Sequence, residues 1–239
     1  MKDTGWGAIF DWDGVVVDSG PQHKKAWEIL AAEEKRPLAP DHFQHTFGMR
    51  NEQVIPECYR WTTAPEEIRR ISLKKEAIYR DLLRREGVDV LPGVVEWLTR
   101  LRQAGIPAVI GSSTHRANLE AALEKLPIRH FFQGMVAGED VRHGKPHPEV
   151  FQLSAAKLSL PPSRCVVFED TLVGIRAAHA AAARAVAVTT SFAAGELAVA
   201  DIVVRRLDDL DVETLGAWFG TDSAWKSASG QVFKGKKTG

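Results

Sequence analysis

The sequence predicts an α/β fold, a parallel sheet whose first strand is separated from the others by an inserted all-helical unit. Three observations carry this. From residue 92 onward, short apolar runs of strand length alternate with helical patterns, the order that builds βαβ units. One more such run, GAIF, stands near the start of the chain. Between Ser19 and Gly87 every periodic segment has helical spacing. The core is therefore expected at 1–18 and 92–220 and the helical cap at 19–91. Residues 221–239, rich in Gly, Ser and Lys, are expected to be a disordered tail.

Each element has its own signal. GAIFDW reads as a short strand buried on both faces. PQHKKAWEILAAEEKR repeats apolar residues at Ala26, Trp27, Leu30 and Ala31, with Pro21 at its start. HFQHTF, NEQVIPECYRW (interrupted at Pro56) and PEEIRRISLKKEAIYRDLLRREG continue the helical spacing, the last opened by Pro65 and closed by Gly87. Then come a helix ending at Gly105, the strand IPAVIGSS, the helix HRANLEAALEKL and the strand and loop GMVAGED. The helix HPEVFQLSAAKL, the strand RCVVFED, the Ala-rich helix TLVGIRAAHAAAARA and the strands AVAVTT and DIVVRR complete the order.

Composition narrows the function classes. The chain has 239 residues, 44% hydrophobic and 26% charged, with 31 basic residues balancing 31 acidic ones. A nucleic-acid or membrane-surface protein usually carries a basic excess, so neither partner is expected. No apolar run approaches the ~20 residues of a membrane helix, and MKDTGWGAIF carries no signal-peptide core. Two cysteines give no disulfide framework, which suits a cytoplasmic location; Cys165 reads as a small buried hydrophobe. A monomer is expected.

Two carboxylates, Asp11 and Asp13, interrupt the apolar run IFDWDGVVV. Carboxylates are almost never buried unless paired or holding a metal. In an open parallel sheet, ligands bind beyond the carboxyl ends of the strands. The polar residues stand there: Asp11 and Asp13 after the first strand, Ser112 and Ser113 after PAVIG, and Glu169 and Asp170 after RCVVF, with Lys145 in HGKPHP as the cation. Such a cluster repels itself unless a cation sits at its centre, and all-oxygen ligands point to Mg²⁺ rather than zinc. The pattern suggests phosphoryl transfer: a carboxylate nucleophile, a Ser hydroxyl and Lys145 on the phosphoryl oxygens, and a second carboxylate as acid and base.

In order, FDWDGVVVDS, GSST, GKPHPEVF and VVFEDTLVGI resemble the four signature motifs of the haloacid dehalogenase (HAD) superfamily, closest to its β-phosphoglucomutase-like phosphatases. The resemblance spans residues 6–220. It implies a Rossmann-like core with a C1-type helical cap and a Mg²⁺-dependent enzyme acting on a small phosphorylated metabolite. It implies further that Asp11 is the nucleophile and Asp13 the acid/base, which also gives Mg²⁺ its backbone carbonyl. Ser112 and Lys145 would bind the phosphoryl group, with Ser113 and Thr114 beside the substrate. Asp170 would be a metal ligand, and Glu169 a ligand or a partner of the ligands.

In the cap, His23 and Trp27 match residues of the first cap helix of β-phosphoglucomutases, and Lys75 matches a substrate-facing lysine, although Lys74 could equally be the inward one. FGMRNEQVI looks like the substrate-specificity loop, with Gly48 as the shared glycine. Arg50 stands one position before the mutase's phosphate-binding Arg, whose place Asn51 takes. A phosphatase for a sugar phosphate is therefore expected, with a phosphoglucomutase-type isomerase and, less so, a phospho-receiver as alternatives. Glu139 and Asp140 read as loop residues. His143 and His147 are four apart, but Gly144 and Pro146 forbid the helix that would align them, so no metal site is expected there.

Overall fold

The computed structural model describes residues 5–43, 46 and 48–220. The tail 221–239 lies outside the described residues, as do positions 44, 45 and 47 of HFQHTF; its described His42, Phe43 and Thr46 are turn residues rather than the expected helix. The strands are β1 (Gly7–Phe10), β2 (Ala108–Gly111), β3 (Phe132–Val136), β4 (Cys165–Glu169), β5 (Arg184–Val188) and β6 (Ile202–Val204). They form one parallel sheet in the order β3-β2-β1-β4-β5-β6. The two-residue period of the strands divides the core between two faces. Ala8, Phe10, Val166 and Phe168 enter one apolar cluster, and Ile9, Val109, Cys165 and Val167 enter the other. Ile9 stands opposite both Val109 and Val167, so the register sets apolar against apolar on each face.

The helices are α1 (Gly20–Glu33), α2 (Asn51–Gln53), α3 (Pro65–Glu86), α4 (Val94–Gln103), α5 (Arg116–Leu123), α6 (Glu149–Lys157), α7 (Leu172–Ala180) and α8 (Val212–Gly216). Helices α4 and α5 cover one face of the sheet through Trp97, Leu98, Leu101 and Leu119. Helices α6 and α7 cover the other through Phe151, Ala155, Ile175 and Ala178. Among the described residues between β1 and β2 the regular elements are helical, with only isolated bridges at Asp13–Val17 and Val17–Val90. There Trp27, Leu30, Val54, Ile55, Trp61 and Ile71 close a third apolar cluster of their own. Among the described residues no helix is long and apolar enough to cross a membrane. Both cysteines are free thiols.

Two elements differ from expectation. Pro56 does not interrupt its segment: α2 passes into a π-helical turn, Val54–Cys58, closed by the Tyr59 N–H on the Val54 carbonyl at 2.9 Å. The missing proline donor is absorbed by the wider ring. The Ala-rich helix stops at Ala180 rather than running to Ala185, and Ala182 takes a φ of +63°. Residues 184–187 pair instead with β4, Ala185 against Val167 and Val186 against Phe168, so burial in the sheet overrides alanine's helix propensity.

Candidate active site

Strand order reverses between β1 and β4, and this is where the polar side chains gather. The chain leaves β1 at Asp11, whose N–H still bonds the Phe168 carbonyl at 3.0 Å, and turns sharply: the N–H groups of Val16 and Val17 both reach the Trp12 carbonyl. That turn brings Asp13 back over the sheet edge. Gly14 sits in it at a φ of +79°, and a Cβ there would lie 2.0 Å from Asp170 Oδ2. Only glycine lets the β1 loop lie this close to the β4 carboxylates.

Lys145, on the loop before α6, reaches the same edge. Its Nζ lies 3.0 Å from Asp11 Oδ1 and 2.5 Å from Glu169 Oε1, and all three residues are buried. The other Glu169 oxygen accepts the N–H groups of Asp170 and Thr171 and the Thr171 hydroxyl, at 2.9, 3.0 and 2.9 Å. Glu169 is thus fully engaged in fixing Lys145 and the β4–α7 turn. A Cβ on Gly174, in the first turn of α7, would fall within 1.8–2.3 Å of both Glu169 carboxylate oxygens.

Asp170 is placed differently. Its Oδ2 accepts the Ser191 hydroxyl, while Oδ1 is buried with no hydrogen-bond partner. Asp11 Oδ1 likewise has only its ion-pair contact with Lys145. Burial, aided by the Glu169 and Asp13 charges, pushes the Asp11 carboxyl up to about 7 against the pull of Lys145. Burial and the neighbouring carboxylates push Asp170 well above the usual carboxylate range. One lysine cannot neutralise three carboxylates whose oxygens lie within 4.8 Å of one another. A buried all-oxygen set with an oxygen left unpartnered fits a small hard divalent cation.

Asp13 meets the opposite surroundings. Burial works against its charge, yet His23, Ser19 and Lys75 together hold its pKa below the ordinary value. Ser19 Oγ donates to Asp13 Oδ1 at 2.5 Å, and His23 Nε2 lies 3.3 Å from the same oxygen. Lys75 Nζ lies 2.7 Å from His23 Nδ1. An ammonium only donates, so Nδ1 accepts and the ring proton sits on Nε2, aimed at Asp13. Behind Lys75 stands Glu76, also buried, at 2.9 Å. Although burial raises it, Lys75, His23, His115 and Asn118 bring the Glu76 carboxyl down to about 2. A hydrogen-bonded chain therefore runs from the cap to Asp13.

The cleft between sheet edge and cap is lined by Asp11, Asp13, Ser112, Ser113 and Thr114 from the core and by His23, Gly48, Arg50, Asn51 and Lys75 from the cap. Ser112 Oγ accepts the Thr114 N–H at 3.2 Å, and α5 begins only at Arg116, so Ser112 is not that helix's cap. Both Asn51 amide protons are committed, to Ser72 Oγ at 3.1 Å and Glu76 Oε1 at 2.6 Å. Arg50 leans on Glu52 at 3.5 Å. Of the two lysines in question, Lys75 is the inward one, and Lys74 pairs with Glu33 and Glu34 on the surface.

Residues 7–182 match the description of haloacid dehalogenase-like hydrolases. The chain belongs to that family. Among its HAD relatives is the chloroplastic 5-amino-6-(5-phospho-D-ribitylamino)uracil phosphatase of Arabidopsis thaliana, 39% identical over 222 residues. The match takes in 91% of this chain and 59% of that one, so the chain spans less than two thirds of that relative's length. The fructose-1-phosphate phosphatase of Escherichia coli is 36% identical over 186 residues, 75% of this chain and 94% of that protein. The crystal structure of β-phosphoglucomutase from Clostridium difficile superposes with a TM-score of 0.78 at 26% identity, covering 89% of this chain and 96% of that one.

Sequence reasoning missed several members of this HAD site. Ser19 closes the motif FDWDGVVVDS but has no role assigned by it, and Glu76, Asn118 and Ser191 stand in none of the four motifs. Glu76 had a usable signal: Ile71, Ser72, Lys75, Glu76, Tyr79, Leu82 and Leu83 form one buried stripe at helical spacing, so both charges fall on the inward face of α3. Asn118 is a core residue whose Nδ2 reaches Glu76 Oε2 at 2.5 Å across the cleft, and only the tertiary fold supplies that partner. The reading that His143 and His147 belong to no metal-ligating group needs correction. No helix forms between them, but the loop folds back and brings both imidazoles to Glu149.

Proposed function

We propose that the chain is a Mg²⁺-dependent phosphatase that hydrolyses a small phosphorylated sugar or polyol through an aspartyl-phosphate on Asp11. One observation carries this: two carboxylates two residues apart open on one cleft, Asp11 against Lys145 and beside Asp170, Asp13 against His23 and Ser19. Mg²⁺ held by Asp11, Asp170 and the Asp13 backbone carbonyl would supply charge neutralisation at the phosphoryl oxygens. Glu169, with both oxygens already bonded, acts by holding Lys145.

An Asp11 carboxylate oxygen attacks phosphorus while the ester P–O bond breaks, and the leaving alkoxide takes the Asp13 proton. Lys145 and Ser112 hold phosphoryl oxygens through this transfer. The Asp13 carboxylate then takes a proton from water as that water attacks phosphorus. Inorganic phosphate leaves and the Asp11 carboxylate is restored. Although Asp13 is held below its ordinary pKa, a phosphate group entering beside it works in the other direction and favours the protonated acid.

The named substrates of the Arabidopsis and Escherichia coli relatives both carry a phosphate on a polyhydroxylated chain, which supports a sugar or polyol ester here. Hydrolysis is favoured over isomerisation because the Asn51 donors are spent inside the cap and Arg50 is partnered by Glu52. A mutase needs a free cation there for a second phosphate. The test is phosphate release from a panel of sugar and polyol phosphates, with and without Mg²⁺. Mg²⁺-dependent release from at least one ester is expected. Conversion of β-glucose 1-phosphate to glucose 6-phosphate without released phosphate would overturn the hydrolytic assignment.

A further inference from the structure

Two residues before Lys145 and two after it stand His143 and His147, which play no part in the chemistry above. The loop from Arg142 to Pro148 turns through the His147 N–H on the Gly144 carbonyl at 3.0 Å and meets Glu149 at the start of α6. Glu149 Oε2 is pinned from below by the backbone N–H groups of Arg142 and His143, at 3.1 and 3.0 Å. His143 Nδ1 lies 3.3 Å from that oxygen and His147 Nδ1 lies 3.9 Å from it, with the two rings 4.6 Å apart. Bonds of about 2.1 Å in a tetrahedron place neighbouring ligand atoms ~3.4 Å apart. The two histidine nitrogens therefore already stand near that distance from the carboxylate oxygen, and the three residues offer ligand atoms all within 4.8 Å of one another.

We propose that His143, His147 and Glu149 form a second metal site, for a borderline divalent transition ion of the zinc type, distinct from the carboxylate cluster. Two imidazoles and one carboxylate select such an ion over Mg²⁺, which takes oxygen ligands. Both histidine side chains are exposed, 65% and 47%, so they are not core packing and are open to an ion from solvent. The carboxylate is fixed before binding, and Pro146 and Pro148 restrict the backbone between the ligands, so little loop ordering remains to oppose binding. Two contacts at the ligand nitrogens compete, the Glu149 N–H on His147 Nδ1 and the hydrogen bond between His143 Nδ1 and Glu149 Oε2, both long at 3.3 Å and both replaced on coordination. The site opens on a groove whose far wall is Arg50, Glu52 and Gln53 of the cap, so its remaining coordination positions face the seam between cap and core. An ion here would bind both shoulders of the segment that presents Lys145.

The experiment is calorimetric titration of zinc into the untagged full-length chain in saturating Mg²⁺, which keeps the carboxylate cluster filled. One zinc per chain is expected in the unsubstituted protein. His143→Ala and His147→Ala should each weaken it at least about tenfold, since loss of outer-shell partners alone costs that much. Neither substitution should change the melting temperature in zinc-free buffer. Zinc should also slow amide exchange across residues 142–149 in the unsubstituted chain and not in the variants. Absence of zinc uptake by the unsubstituted chain, or equal uptake by both variants, would overturn the proposal.

Discussion

Asp11 and Asp13 are chemically identical and separated by one tryptophan, yet their surroundings pull their proton affinities apart. Asp11 is raised to about 7 by burial among other carboxylates, and Asp13 is lowered by His23, Ser19 and Lys75. Asp170 shares the surroundings of Asp11 and has an oxygen without a partner. Replacing it with Asn removes a buried charge and keeps an acceptor for Ser191. Asp170→Asn is therefore expected to melt higher than the unsubstituted protein in EDTA at pH 8 and to lose the further rise that Mg²⁺ produces, both read by thermal denaturation. His23 acts on Asp13 from the other side. His23→Ala should lower kcat on the order of 10²-fold and move the kcat–pH profile to higher pH, since Asp13 loses the group that lowers its pKa. A KM effect alone, with an unmoved profile, would reduce His23 to packing against Tyr79.

Among the elements, close approach matters as much as chemistry. Helix α7 starts against Glu169 because Gly174 has no side chain, and its N-terminus is capped by the Thr171 hydroxyl, which itself bonds Glu169. Gly174→Ala should displace the Glu169 carboxylate and with it Lys145. Turnover is expected to fall by at least about tenfold with far-ultraviolet circular dichroism unchanged. Strands were legible because each is a short apolar run between turn residues, and six such runs became six strands. The end of the Ala-rich helix was not, since local propensity favours continuing and only pairing with β4 stops it. Carboxylates at strand ends could be placed because the topology forces them to one edge. The cap could not be read so far: whether Asn51 faces substrate or Glu76 depends on helix-to-helix packing that spacing does not reveal.

For the whole molecule, the carboxylate cluster links stability to pH and metal. With its pKa raised from 3.8 to about 7, Asp11 binds its proton more tightly in the folded state, and Asp170 shifts in the same direction. Their contribution is present below about pH 4 and is lost as pH rises toward 7. Glu76, lowered from 4.5 to about 2, contributes stability that is nearly constant above about pH 5 and is lost as pH falls toward 2, so it does not enter a comparison made from pH 5 upward. In EDTA the melting temperature should therefore fall between pH 5 and 7.5, and the rise on adding Mg²⁺ should be larger at 7.5 than at 5. A rise independent of pH would mean that the ion does not compete with protons for these carboxylates. The reaction itself is tested most directly by rapid acid quench of the Mg²⁺-loaded enzyme during turnover of a sugar ester labelled with ³²P, followed by peptide mapping. The label should appear on the peptide containing Asp11, base-labile and acid-stable, before steady state, and both label and turnover should vanish in Asp11→Asn, with turnover falling by at least about 10³-fold. Turnover without any labelled peptide, or a label that survives Asp11→Asn, would contradict Asp11 as the group that attacks phosphorus.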